Sequence, residues 1–141
     1  MPPEKLRIMI IDDEECIRDS LAFHLSSLGH EVFTFEMPEK CPAFNAHNCH
    51  LKGPCADIVF VDHNMPGTSG LDYLKRLRQH GCLVMPPHRI MMTGDVTPAL
   101  EEEIQRMGGQ IVQKPLRFDT LEEIIDNARV FISSDRVLSD L

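Results

Sequence analysis

Five short runs rich in β-forming residues alternate along this chain with stretches whose apolar residues recur at helical spacing. The runs occupy residues 6–11, 31–35, 57–61, 89–92 and 110–113. Such alternation admits few folds, because parallel strands need long crossovers and helices supply them. Between the first two runs, Ile17, Leu21, Leu25 and Leu28 mark a helix over residues 14–28 that Gly29 stops. Thr68 or Ser69 can cap a helix carrying Leu71, Leu74 and Leu77, with Gly81 ending it. Thr97 and Pro98 open another, closed at Gly108 and Gly109. Asp119 and Glu122 have capping-box spacing ahead of Leu121, Ile124, Ile125, Ala128 and Phe131. Residues 36–56 are broken by Pro38, Pro42, Gly53 and Pro54, leaving room for a short helix near 39–46 and then a loop. Five strands and about five helices with right-handed crossovers predict an α/β fold with a doubly wound parallel sheet.

At 141 residues the chain fits one domain with a real core, and 43% hydrophobic with 26% charged residues is ordinary for a soluble protein. A formal charge of −8 argues against direct nucleic-acid binding, since a phosphate backbone would be repelled. The first residues lack the apolar stretch of a secretory signal, and no run approaches membrane-spanning length. Five cysteines without an export signal read as reduced thiols in a cytoplasmic protein.

Four of the runs end in polar residues: Asp12 and Asp13, then Asp62, Thr93, and Lys114 followed by Pro115. Ligands of open parallel sheets bind outside the carboxyl ends of the strands. Three carboxylates gathered there repel one another unless a hard divalent cation sits between them, and oxygen donors suit Mg2+. Lys114 adds a compact cation, Thr93 a hydroxyl donor, and Asp62 becomes a candidate nucleophile for an acyl phosphate. The plainer readings are that Asp12 and Asp13 merely favour the first helix and that Thr93 is a turn residue.

Taken in order, Ile11-Asp12-Asp13-Glu14, Val61-Asp62-His63-Asn64-Met65-Pro66-Gly67, Met92-Thr93-Gly94 and Lys114-Pro115 resemble the receiver domain of two-component response regulators. The likeness runs from about Leu6 to Ser133, with 134–141 left as a tail or the start of a linker. It implies a flavodoxin-like sheet of strand order 2-1-3-4-5. It also implies that Asp62 accepts a phosphoryl group from a sensor histidine kinase or phosphotransfer protein. By the same resemblance Asp13 and Asp62 ligate Mg2+ through side chains, Asn64 through its backbone carbonyl, and Asp12 through a water. Thr93 would turn toward the phosphoryl group, Lys114 would contact it, and the bond before Pro115 would be cis. Asn64 and Asp95 stand where relatives tune phosphoryl lifetime; the alternative is that they are ordinary polar residues facing solvent. A homodimer, if formed, would use the face near residues 97–129.

Two departures accompany the likeness. The family's switch aromatic, three positions before the lysine, is here Ile111, which cannot report phosphorylation by a ring swing. The 36–56 segment is longer than usual and holds Cys41, His47, Cys49, His50 and Cys55. It lacks a paired Cys-x-x-Cys, so an ordinary surface loop is favoured over a zinc site. Cys16 and Cys82 read as small packing residues. A phosphatase or phosphotransferase with an aspartate nucleophile is the contrasting class, but it would want an acid where Asn64 stands. A degenerate receiver acting only as an interaction domain is the third.

Overall fold

The computed structural model describes residues 2–40 and 53–139. In chain order its elements are β1 (Arg7–Ile11), α1 (Glu15–Ser27), β2 (Glu31–Phe35), β3 (Ile58–Asp62) and α2 (Gly70–Gln79). They continue with β4 (Arg89–Thr93), α3 (Pro98–Arg106), β5 (Gln110–Gln113) and α4 (Phe118–Arg129). The five strands form one parallel sheet in the order β2-β1-β3-β4-β5, as the resemblance implied.

The three inner strands are buried on both faces, which is why they read as nearly unbroken apolar runs. Alternate residues part to opposite sides. Ile8, Ile10, Ile58, Phe60, Ile90 and Met92 pack under Leu21 and Leu25 of α1 and Leu121 and Ile125 of α4. Met9, Ile11, Val59, Val61 and Met91 pack under Tyr73, Leu74 and Leu77 of α2 and Ile104 of α3. Helices therefore cover both faces, the doubly wound arrangement.

The helix signals are met with two amendments. Ser69 caps α2 by accepting from the Asp72 N–H at 3.1 Å, and Thr97 caps α3 by accepting from Leu100 at 3.2 Å. Asp119 is not a cap: α4 begins at Phe118 after Arg117, and the Asp119 carboxylate accepts from its neighbour Thr120 instead. Among the described residues there are four α-helices; the short helix placed near 39–46 shows only a 3₁₀ turn at Pro38–Lys40, and the rest lies outside them. Cys16 is exposed rather than packed, and Cys55 is buried in the core. Cys41, His47, Cys49 and His50 lie outside the described residues. The connection into β4 forms a second 3₁₀ turn, Pro86–His88, which buries His88.

Residues 134–139, expected as tail or linker, lie against the N-terminal edge of the sheet. Arg136 grips the buried Asp57 carboxylate through Nε at 2.8 Å and Nη2 at 2.6 Å. The second Asp57 oxygen also accepts the Arg7 N–H at 2.8 Å. Ser139 donates its backbone N–H to Pro54 and its hydroxyl to Gly53.

Candidate functional site

Strand register builds the site. Ile11 pairs with Val61, Asp62 with Met92, and Thr93 with Gln113. The residues at or just past these strand ends, Asp12, Asp62, Thr93 and Lys114, thus come level across β1, β3, β4 and β5. Asp12 and Thr93 are buried and Asp62 is only 3% exposed. Asp13 and Glu14 sit exposed at the rim, and one ligand oxygen from each of Asp12, Asp13, Glu14 and Asp62 falls within 4.8 Å of the others.

Lys114 is the cation of this group. Its Nζ lies 2.9 Å from Asp12, 3.2 Å from Asp62 and 3.9 Å from Glu14. Asp12 also accepts the Glu14 N–H at 2.9 Å, and its backbone carbonyl accepts from Arg18 at 2.7 Å. The Asn64 N–H stands 3.4 Å from Asp62, a long contact. Burial and the neighbouring Asp12 push the Asp62 carboxyl up to about 6, against the pull of Lys114 and the Asn64 N–H. Burial works to lower the Lys114 pKa, but Asp12 and Asp62 together hold it above its ordinary value. Lys114 alone does not compensate the site's negative charge. Oxygen donors in excess over cations are the set that a hard divalent ion fits.

Asn64 and Asp95 are exposed two residues beyond Asp62 and Thr93. The Asp95 N–H donates to the Thr93 hydroxyl at 3.2 Å, fixing that hydroxyl within its own loop. The Lys114–Pro115 bond is cis. Ile111 is half-buried and packs with Leu100 and Met107 against the core. Beside the carboxylates opens a cavity of about 600 Å³, lined by Asp62, Asn64 and Lys114 and walled by Ile17, Leu116 and Phe118.

Three contributors were given no role from the residue string. Glu14 joins the acidic group, and Arg18 props Asp12 from one turn into α1. Gly70 lets α2 start against the site: a Cβ there would meet the Asp62 carbonyl at 2.6 Å and the His63 Cα at 2.8 Å. Glycine is the only residue that permits this approach.

The response regulator receiver domain profile matches residues 8–126, and the chain belongs to that family. It is 33% identical over 128 residues to the transcriptional regulatory protein FixJ of Azorhizobium caulinodans, covering 91% of this chain and 53% of that protein. It is 30% identical over 125 residues to the peroxide stress-activated histidine kinase mak3 of Schizosaccharomyces pombe, covering 84% of this chain and 5% of that one. A solved receiver-domain protein from Clostridium thermocellum aligns with TM-score 0.71 at 27% identity, covering 89% of this chain and 94% of that chain. The chain thus spans about half the length of the FixJ relative and a small part of the kinase. No described helix is long and apolar enough to cross a membrane.

Proposed function

We propose that this chain is a phosphoacceptor receiver: Asp62 takes a phosphoryl group from the phosphohistidine of a sensor kinase or phosphotransfer protein, and the modified domain changes its partner contacts. The observation that carries this reading is the buried Asp62 carboxylate, 3.2 Å from Lys114 and beside Asp12 at the carboxyl edge of the sheet. A carboxylate oxygen of Asp62 attacks phosphorus, the donor's P–N bond breaks, and the electron pair returns to the imidazole nitrogen, which picks up a proton. Lys114 neutralises charge on the transferring oxygens, and the Thr93 hydroxyl donates to one of them after leaving its loop contact. Asp12, Asp13 and Asp62, with the Asn64 carbonyl, would hold Mg2+, which supplies further charge neutralisation when bound. Asn64 and Asp95 set how readily water reaches the acyl phosphate. Modification adds about −1.5 to −2 charges, which biases a two-state equilibrium. The receiver unit is assigned to residues 1–133 by resemblance, working in the cytoplasm and without direct contact to nucleic acid; a homodimer through residues 97–129 fits the same reading.

The test is incubation with Mg2+ and acetyl phosphate, set against Asp62→Asn. A base-labile adduct on the parent that is absent from the variant is the expected result. Steady turnover of phosphate monoesters would point to an enzyme instead, and no reaction to a constitutive interaction domain.

A further inference from the structure

Gln113, the last residue of β5, is exposed, yet its side chain crosses to the loop that follows β4. Nε2 donates to the Gly94 carbonyl at 2.6 Å and to the Lys114 carbonyl at 3.2 Å. Oε1 stands 3.4 Å from the Val96 N–H, a long contact that contributes least. The main chain makes the same crossing beside it, the Lys114 N–H donating to the Thr93 carbonyl at 2.7 Å. One amide side chain therefore ties the loop after Thr93 to the backbone of Lys114. On the same strand Ile111 is β-branched, stiff at χ1 and packed against the core, so it has no ring to swing.

We propose that Gln113 is a positioning residue, which holds the 94–96 loop in its resting place and releases Gly94 when the Thr93 hydroxyl turns toward a phosphoryl oxygen on Asp62. The proposal rests on Asp62 being the phosphoacceptor. A contact made in only one of two states sets their equilibrium, and the ligand that favours the other state must overcome it. Gln113 thereby takes up, through an amide, the coupling that Ile111 cannot provide. Loss of one exposed hydrogen bond shifts such an equilibrium by roughly fivefold.

The experiment compares Gln113→Ala and Gln113→Glu with the parent; the residue is exposed, so both variants fold. Glutamate keeps the length and an acceptor for Val96 but cannot donate to Gly94, so it is expected to follow alanine. Without metal or phosphodonor, the Asp95 amide, which donates to the Thr93 hydroxyl and not to residue 113, should exchange about fivefold faster in both variants. The Gly94 and Val96 amide resonances should move along the line joining the resting and beryllofluoride-bound parent. Uptake of phosphate from acetyl phosphate should rise by a similar factor. Parental exchange rates, or shifts off that line, would overturn the clamp even if Asp62 is phosphorylated normally. Failure of the parent itself to bind beryllofluoride would overturn the reading of Asp62 and the release step with it.

Discussion

Asp62 is held with a carboxyl pKa of about 6, against an ordinary value of 3.8, so its ionisation near neutral pH works against folding. The folded pKa is the higher one. Its stabilising contribution is therefore complete below the unfolded value and is lost as pH rises through about 6. An asparagine side chain imitates the neutral carboxyl, so Asp62→Asn should be more stable than the parent at pH 7 by about 2–3 kcal/mol. The advantage should vanish toward pH 4. Thermal unfolding without divalent cations checks this, and equal stability of the two proteins at both pH values would refute it. Mg2+ should narrow the gap at pH 7 by stabilising the parent more than the variant, which lacks one of the ligands. His30 and His88 act with the opposite sign: burial lowers both pKa values, and the Arg129 charge lowers His30 further. The Nδ1 of His30 accepts the Leu6 N–H at 3.1 Å, a bond that a protonated ring cannot keep. Their contribution is present above about 6.5 and is lost as pH falls through the folded values. In Asp62→Asn, stability should therefore only decline on acidification below that point, and His30→Gln should flatten the decline. Asp12, Asp62, Thr93 and Lys114 were legible because each is a polar residue ending an apolar run. Gln113 was not, because its partner Gly94 lies in the loop after another strand and only register brings the two together.

At the scale of elements, the ion pair between Arg136 and Asp57 makes residues 134–139 a packed strap. Asp57 is 6% exposed, so removing Arg136 leaves a buried carboxylate whose one remaining hydrogen bond among the described residues is from the Arg7 N–H. Arg136→Ala should cost about 3–5 kcal/mol, and Asp57→Asn combined with it should recover part of that loss. Chemical denaturation of the singles and the double measures the coupling; additive effects would show that the contact is weak. The strap was invisible in the residue string, where 134–141 lacks both periodicity and an apolar run long enough to suggest packing. Helix caps fared better where the signal was local. Ser69 and Thr97 act on backbone a few residues away, whereas Asp119 failed because the turn through Pro115 starts α4 one residue before it.

For the whole molecule, the alternation of strand-like runs with helical stretches was the strongest message: it called for a parallel sheet covered on both faces, and two helices lie over each. Strand order does not follow from alternation, and it came from the resemblance. The finished sheet sets its polar groups apart, with Asp62 and Lys114 at the carboxyl edge and Asp57, His30 and Arg136 at the other. Arg136 does more than close on Asp57, for its Nη2 also reaches the Lys5 carbonyl at 3.2 Å. Sequence positions 131 residues apart thus meet within one side chain. The fold is in effect a ring with a narrow gap, and a circular permutant could bridge that gap near Lys5 and Arg136 with a short linker and be reopened elsewhere on the surface, its phosphoacceptor edge left untouched.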